Sequence, residues 1–346
     1  MTSRYFERNI LARLLSKLYI DSRVSVRKLS QEMNISYSRT SKALSELERR
    51  YRLNYTLDID ITKLGFTEDR IICIRFGEKP DPEKLKRYLE SQPLVQNAYL
   101  AYGDYDLILH ATALSKTDYL AFQFRTRVEL SKYKPVFEQA SLDDYAEGFL
   151  PVARNLINLS SSLSADEKRL LSLLVENSRA RLKDMVRNTE FTTIKILYMV
   201  GKLKKKGVIN KFTCTVQRPD KRIFMLYTVT ATYVPAHKPK LQAEFLRSVI
   251  AGDGSGDLTS DYSVVCDTSG HFDSALFCNF TDTKAVSLMG PELMKRTWAI
   301  EKPVIKSCIL SDVLKGGWPF QKNGYAKWKN VLGKIQKNPM KFDLLQ

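Results

Sequence analysis

The sequence DSRVSVRKLSQEMNISYSRTSKALSELER at residues 21–49 returns at residues 177–205 as NSRARLKDMVRNTEFTTIKILYMVGKLKK. The two copies align at a constant offset of 156. Both place apolar residues at helical spacing, in blocks that short polar turns separate, which is the pattern of small packed helices. The chain therefore contains an internal repeat, and each copy opens with a small helical domain.

A second motif extends the repeat toward the C-terminus. The turn Gly103-Asp-Tyr-Asp106 corresponds to Gly270-His-Phe-Asp273, and a Gly-, Asp- and Ser-rich loop at residues 251–260 lengthens the second copy before its turn. Between the helical blocks and the ends of the two copies, β-prone runs and helical segments follow one another in the order βαββαβ. The helices are expected at residues 82–89 and 119–130 in the first copy and at 241–250 and 285–293 in the second. That order predicts a ferredoxin-like unit in each copy, with two helices packed on one face of an antiparallel sheet.

The composition is that of a globular protein with sizeable cores. Of 346 residues, 44% are apolar and 27% are charged, and Gly and Pro are too few for collagen or low-complexity disorder. No apolar run is long enough for a membrane helix and the N-terminus lacks a signal-peptide pattern, so we expect a cytoplasmic, nucleoid-associated protein without membrane contact. Five scattered cysteines and three histidines match no ligand spacing, so we expect no disulfide, metal or cofactor.

The positive charge of the chain is concentrated. The net charge is +17, from 55 basic and 38 acidic residues. Residues 1–55 and 164–212 each carry 12 Lys and Arg against 5 Asp and Glu, and residues 313–346 carry 7 Lys against 1 Asp. Because a local positive field attracts a polyanion, these segments are predicted to bind nucleic acid.

Both copies resemble the Lrp/AsnC family of feast/famine transcription regulators, in a tandem form. The resemblance lies in residues 14–65, in the Gly103–Asp106 turn and in residues 170–212, and it covers all but the C-terminal tail. It implies a winged helix-turn-helix domain followed by a ligand-sensing, dimerising βαββαβ domain, twice. The fold class we expect is therefore α+β, with two winged helix-turn-helix domains and two ferredoxin-like domains in tandem.

The domain bounds follow from the repeat. We place the first winged helix-turn-helix domain at residues 1–66, the first ferredoxin-like domain at 67–150, a linker at 151–164, the second pair of domains at 165–218 and 219–313, and a basic aromatic tail at 314–346.

The second helix of a helix-turn-helix motif enters the major groove, with its first residues toward the base edges. In the first copy this helix covers residues 36–49, where Arg39 is the candidate for a guanine contact and Lys42 for a phosphate. The other DNA-binding candidates of this copy are Tyr37, Ser38, Ser41, Arg49, Arg50 and Arg52. A solvated polar face of an ordinary helix is the alternative interpretation.

The corresponding helix of the second copy, residues 192–205, is more apolar. Its DNA-binding candidates are Thr193, Lys195, Tyr198, Lys202 and Lys205. Ile194 and Leu197 lie on the same side, where they either contact thymine methyl groups or are covered by protein. Two DNA-binding helices with different exposed residues in one chain favour an asymmetric DNA site over a palindrome.

The resemblance also implies a small-molecule effector, such as an amino acid, near the Gly-rich turns. Carried over by position, its candidate residues are Gly103, Asp104, Asp106, Gly270 and Asp273. A Gly-Asp turn is also ordinary hairpin chemistry, so a purely structural role stays open. The partners we expect are double-stranded DNA, this effector, and a second sheet unit, either in a homodimer or within the chain as a pseudo-dimer.

These observations predict a sequence-specific DNA-binding transcription regulator that is not an enzyme. Two alternatives remain: an enzyme similar to siroheme decarboxylases, which resemble Lrp/AsnC proteins and pair two such units, and a nonspecific architectural DNA-binding protein. Three scattered histidines without nucleophile–base spacing argue against proton-transfer chemistry. The charge concentrated in the helical copies favours the regulator.

Overall fold

The computed structural model describes residues 2–216, 223–232, 261–280 and 301–316, together with the single positions 283, 286, 287 and 293. The loop expected at 251–260, a helix expected at 241–250 and the tail beyond residue 316 lie outside the described residues. A helix expected at 285–293 is described at only three of its positions. The described residues form a mixed helix and strand structure, which confirms the α+β class.

The first helical copy is a helix-turn-helix domain followed by a strand. Its elements are α1 (Thr2–Ile20), α2 (Val26–Met33), α3 (Tyr37–Tyr51) and β1 (Leu53–Ile59). The leucines that recur at helical spacing are the ones that these helices bury against one another: Leu14, Leu18, Leu29, Leu44 and Leu47. Full burial of one aliphatic side chain contributes about 1.5–3 kcal/mol, so this small core holds the copy together.

Polar residues determine where the helices of this copy begin and end. Ser25 and Ser36 precede α2 and α3, and each side-chain oxygen accepts a backbone N–H from the first turn, at 3.2 Å from Lys28 and 3.3 Å from Arg39. Asn34 ends α2 with a φ of 55°, a left-handed conformation that Asn tolerates. The turn between the two helices is therefore short and defined, and it holds α3 at a fixed angle to α2.

The second helical copy repeats this structure. Its elements are α7 (Ala165–Glu176), α8 (Leu182–Thr189), α9 (Thr193–Lys205) and β6 (Ile209–Val216). The linker before it contains α6 (Arg154–Leu159), and four linker residues enter the core of the second copy: Val152, Leu156, Ile157 and Leu163. The linker is therefore packed as part of the second copy.

Strands β1 and β6 join the two helical copies in an antiparallel ribbon. Leu57 pairs with Phe212 and Thr56 pairs with Thr213, and the repeat offset of 156 exchanges these two pairs. The ribbon therefore has an approximate twofold axis, as in a symmetric dimer, although both strands belong to one chain.

Each copy continues into an antiparallel sheet. The first unit comprises β2 (Glu68–Phe76), α4 (Pro82–Ser91), β3 (Val95–Gly103), β4 (Leu107–Ala113), α5 (Lys116–Leu130) and β5 (Pro135–Glu147). The strands described in the second unit are β7 (Ile223–Thr232), β8 (Asp261–Gly270), β9 (Ser274–Phe280) and β10 (Glu301–Lys315). The strand orders, β3-β4-β2-β5 and β8-β9-β7-β10, are equivalent and are those of a ferredoxin-like sheet.

The two sheets join edge to edge and close into a barrel. Strand β3 pairs with β10 and β5 pairs with β8, so the outer strand of each sheet is covered by the other sheet. Large side chains from both units fill the interior, among them Ile71, Tyr99, Ile108, Phe224, Phe272 and Phe277. The sheet pairing that we expected either in a homodimer or within the chain is made here within the chain.

Candidate functional site

The first recognition helix, α3, presents a polar face to solvent. Its exposed side chains near the N-terminal end are Tyr37, Ser38, Arg39 and Lys42. Thr40 points inward, where it is fully buried and its hydroxyl donates to the backbone oxygen of Ser36 at 3.0 Å. Ser41 is half-buried at the side of the exposed face. The side of α3 that the periodicity assigned to DNA is thus the accessible one.

The arginines at the C-terminal end of α3 differ in their surroundings. Arg49 donates two hydrogen bonds from Nη2 to the Glu46 carboxylate, at 2.8 and 3.0 Å. Arg50 lies in the last turn of the helix, and Arg52 follows it, exposed and with a φ of 46°. An exposed ion pair such as Arg49–Glu46 contributes only about 0.3–0.5 kcal/mol, so a phosphate can replace the carboxylate.

The second recognition helix, α9, has a more apolar exposed face than α3. All of its DNA-binding candidates are exposed: Thr193, Lys195, Tyr198, Lys202 and Lys205. Ile194 is 79% exposed and Leu197 is 58% exposed, so this face of α9 presents aliphatic side chains to solvent. A groove-facing helix with these residues has thymine methyl groups as its natural contacts.

Acidic residues of α7 form ion pairs with two lysines of α9 and with Lys206 at its C-terminal cap. Lys195 Nζ lies 2.6 Å from Asp166 Oδ2, and Lys202 and Lys206 lie 3.0 and 3.4 Å from Glu167 Oε1. Burial alone raises the pKa of Glu167, but hydrogen bonds from the helix cap and from these lysines outweigh it and lower the pKa to about 2. Part of the positive charge of the second helical copy is therefore engaged in ion pairs within that copy.

The glycines of the two Gly-rich turns lie at the seams of the barrel. Gly103, with a φ of 138°, faces β10, where a Cβ atom would come within 2.6 Å of the Ser307 backbone oxygen. Gly270, with a φ of 140°, faces β5, where a Cβ atom would come within 2.7 Å of the Gln139 backbone oxygen. Only glycine permits this approach and this backbone conformation, so both glycines are required where the two sheets meet.

Two of the three aspartates among the effector candidates accept backbone N–H groups of strands. Asp104 Oδ2 accepts the Ser307 N–H at 2.7 Å, and Asp106 Oδ2 accepts the Phe76 N–H at 2.9 Å. Asp273 is 4% exposed. The turns therefore have a clear structural role in fixing the seams, and effector binding by these residues stays a prediction.

A polar network lies inside the barrel, at the end where the Gly-rich turns are. The Tyr105 hydroxyl donates to Glu138 Oε2 at 2.7 Å and lies 3.0 Å from Thr228 Oγ1, while Lys306 forms an ion pair with Glu138. Burial raises the pKa of Glu138, but the hydrogen bonds from Lys306 and Tyr105 lower it more strongly. Sequence reasoning missed this network because its members are far apart along the chain.

A buried histidine–aspartate pair lies inside the opposite end of the barrel. His110, 3% exposed, has its Nε2 atom 2.7 Å from Asp69 Oδ1. Its Nδ1 atom lies 3.0 Å from the Asn97 amide nitrogen, which also donates to the Pro151 backbone oxygen at 3.0 Å. Because that amide donates to Nδ1, a neutral imidazole carries its proton on Nε2, toward Asp69. Both ring nitrogens of His110 are therefore engaged by protein groups, Asp69 at Nε2 and Asn97 at Nδ1.

A cavity of about 330 Å³ opens between α4 and the end of α5. Its lining includes three cations, one carboxylate and two aromatic rings: Lys84, Arg87, Lys132, Glu129, Tyr88 and Tyr133. Cations that converge on a concave surface attract anionic groups such as carboxylates.

These elements define a tandem class of proteins, with two helix-turn-helix domains and two ferredoxin-like sheets in one chain. Siroheme decarboxylase NirDL has a crystal structure that matches 95% of this chain and 99% of that chain, at 15% sequence identity and a TM-score of 0.53. The structure of NirDL in co-complex with an iron-uroporphyrin III analogue matches the same shares, at 16% identity and a TM-score of 0.53. B. subtilis LrpC matches 41% of this chain and 94% of that chain, at 23% identity and a TM-score of 0.33. No family model and no curated protein matches the chain.

The expectation that the chain is not an enzyme is wrong, because a solved structure that matches its fold over 95% of its length is that of an enzyme. The expectation rested on histidines without a base at a suitable spacing. The fold does bring one carboxylate to a histidine that sequence spacing missed, since His110 Nε2 and Asp69 Oδ1 are 41 residues apart in sequence and 2.7 Å apart in space. Residue spacing in the sequence reveals only those pairs of side chains that lie within a single helix, strand or turn.

Among the described residues, no helix combines the length and apolar character needed to cross a bilayer. Within the same part of the chain, no three His, Cys, Asp or Glu side chains are grouped so as to hold a metal ion. The five cysteines are free and buried.

Proposed function

We propose that the protein is a sequence-specific DNA-binding regulator of transcription, and that its first helical copy reads the bases. The observation that carries this proposal is the exposed face of α3, with Ser38, Arg39 and Lys42 at its N-terminal end. Hydroxyl and guanidinium groups match base edges in the major groove, and ammonium groups match phosphates.

The two copies contribute unequally to this proposed function. Ion pairs engage Lys195 and Lys202 of α9, and its exposed Ile194 and Leu197 suit thymine methyl groups. The β1–β6 ribbon fixes the two readers in one twofold arrangement. The DNA site that fits them has two different half-sites at a fixed spacing, one read by polar contacts and one rich in thymine.

Arg39→Ala tests base reading by α3. Bound sequences are first selected from a random duplex pool, and affinities for the best site and for random duplex are then measured at one salt concentration. We expect the substitution to weaken binding to the best site by about 1–3 kcal/mol and binding to random duplex much less. The matched control is Arg125→Ala on α5, another exposed arginine, which should change neither affinity.

Two results would count against this proposal. Equal affinity of the unchanged protein for selected and random duplex would leave only a nonspecific architectural role. An unchanged best-site affinity in the Arg39→Ala variant would show that α3 does not read bases through this residue.

A second function, removal of carboxylate groups from a tetrapyrrole, is supported by the fold match and by a cavity of the first sheet unit. Lys84, Arg87 and Lys132 line a cavity that suits carboxylates of such a substrate. These residues lie apart from α3, so DNA binding and catalysis are compatible.

Siroheme and iron-uroporphyrin III, added anaerobically to the purified protein, test this second function. Binding is followed by the change in tetrapyrrole absorbance, and loss of carboxylate by mass spectrometry of the tetrapyrrole. We expect Arg87→Gln to weaken tetrapyrrole binding relative to Lys116→Gln, because Arg87 lines the cavity and Lys116 lies at the other end of α5. A tetrapyrrole that neither binds nor loses mass would exclude this activity for the two compounds.

A further inference from the structure

Glu138 and Lys306 occupy equivalent positions of the two sheet units. The glycine of the first Gly-rich turn pairs with Cys308, and the glycine of the second pairs with Ala140, so these two strand residues correspond. Two residues earlier on each strand are Lys306 and Glu138, separated by 168 residues. The repeat therefore carries opposite charges at one equivalent position.

These two side chains meet across the barrel. Three strands separate β5 from β10 on either side, so the two strands form opposite walls. Ala140 and Cys308 point into the interior core, and residues two apart on a strand share a face. Glu138 and Lys306 therefore point inward from opposite walls, where they form their ion pair on the approximate twofold axis of the barrel.

A residue on a twofold axis contacts its own copy in a symmetric dimer. If two first units paired with each other, Glu138 would face a second Glu138, and two second units would place Lys306 against Lys306. Like charges in a partly buried site repel strongly, because solvent screens them poorly. A residue next to Glu138 also differs between the two units. Tyr105 donates a hydrogen bond to Glu138, and its equivalent in the second unit is Phe272, which has no hydroxyl group.

We propose that Glu138 and Lys306 form a charge code that makes a first sheet unit pair with a second sheet unit and reject another first unit. The partner that fits this surface is a second-type unit, either of the same chain or of another copy of the chain after an exchange of halves. The code concerns assembly only and does not depend on either function proposed above.

Charge reversal in the full-length chain tests the code. Glu138→Lys and Lys306→Glu each place like charges on both walls, and each variant alone should have a Tm several degrees below that of the unchanged chain. When the two variants are co-expressed with different tags, their charges are complementary only after an exchange of halves. We expect them to copurify as a 1:1 complex with twice the 39.8 kDa mass of one chain.

Two further variants separate repulsion from loss of the ion pair. Glu138→Gln removes the pair without creating a like charge, so its Tm should fall less than that of Glu138→Lys. The double variant E138K/K306E restores opposite charges within one chain, so it should recover the Tm and form no exchanged complex. The proposal is overturned if E138K is as stable as E138Q, if the double variant is as unstable as the single ones, or if the co-expressed reversals do not copurify.

Discussion

The hydroxyl oxygens of Ser22 and Ser178 lie 2.7 Å apart, and these two serines occupy the same position of the two repeat copies. Both are fully buried. The backbone N–H of each donates to a strand of the β1–β6 ribbon, Ser22 to Phe212 and Ser178 to Tyr55, at 2.9 Å in both cases. The serine that recurs in Asp-Ser-Arg and Asn-Ser-Arg thus marks the contact between the two helical copies.

Removing either serine hydroxyl should destabilise the protein, and the two substitutions should differ. Ser178 Oγ also donates to the Thr213 backbone oxygen at 3.2 Å, so the hydroxyl of Ser22 is the donor within the serine pair. Ser178→Ala leaves that buried donor without an acceptor and should cost about 1–3 kcal/mol, whereas Ser22→Ala should cost about 1 kcal/mol. Denaturant unfolding of both variants measures the difference, and equal costs would contradict the donor assignment.

Replacing Gly103 with alanine should destabilise the barrel. The new Cβ atom would lie 2.6 Å from the Ser307 backbone oxygen, which cannot move without disturbing the seam, and the φ of 138° disfavours alanine. We expect a loss of about 2 kcal/mol or more, measured by thermal unfolding. The control is Gly201→Ala in α9, where nothing lies within 4 Å of the added atom and alanine should stabilise the helix by about 0.5–1 kcal/mol.

The stability of the second helical copy should depend on acid pH through Glu167. Its pKa is about 2 in the folded chain, below the ordinary value of 4.5, so folding favours the charged form. The associated stability, on the order of 3 kcal/mol, is complete above pH 4.5 and is lost as the pH falls toward 2. Glu167→Gln keeps a group that can accept at the helix cap but cannot titrate. We expect the variant to show a shallower decrease of unfolding free energy across this range.

Freeing a lysine of α9 should strengthen nonspecific DNA binding. Asp166→Asn removes the carboxylate that holds Lys195 at 2.6 Å, so its ammonium group becomes available to a phosphate. We expect higher affinity for random duplex and a log affinity–log salt slope that is steeper by up to about 0.9. Glu129→Gln on α5 makes the same change in net charge away from the helical copies and should leave the slope unchanged.

The features that sequence predicted correctly depend on neighbours a few residues apart. Helical periodicity placed Arg39 on the exposed side of α3, because the position of a side chain around a helix follows from its residue number. The order of strands and helices could be predicted for the same reason, since a short run of β-prone or helical residues indicates each element.

What the sequence did not reveal depends on residues that only the fold brings together. The Gly103 turn was recognisable as hairpin chemistry, but its main restraint is the backbone of Ser307, far along the chain. The partners of Lys195 and His110 are likewise set by packing between elements. The cations around the cavity come from α4 and from the segment that follows α5, and residue spacing in the sequence does not show that these two segments lie side by side.

The covalent connection between the two halves of the barrel changes how this architecture responds to dilution and to mutation. Two separate subunits dissociate when the protein concentration falls. Halves joined by the packed linker keep the same effective concentration relative to each other at any expression level. A base change in the gene also alters one recognition helix and spares the other, so each can diverge on its own.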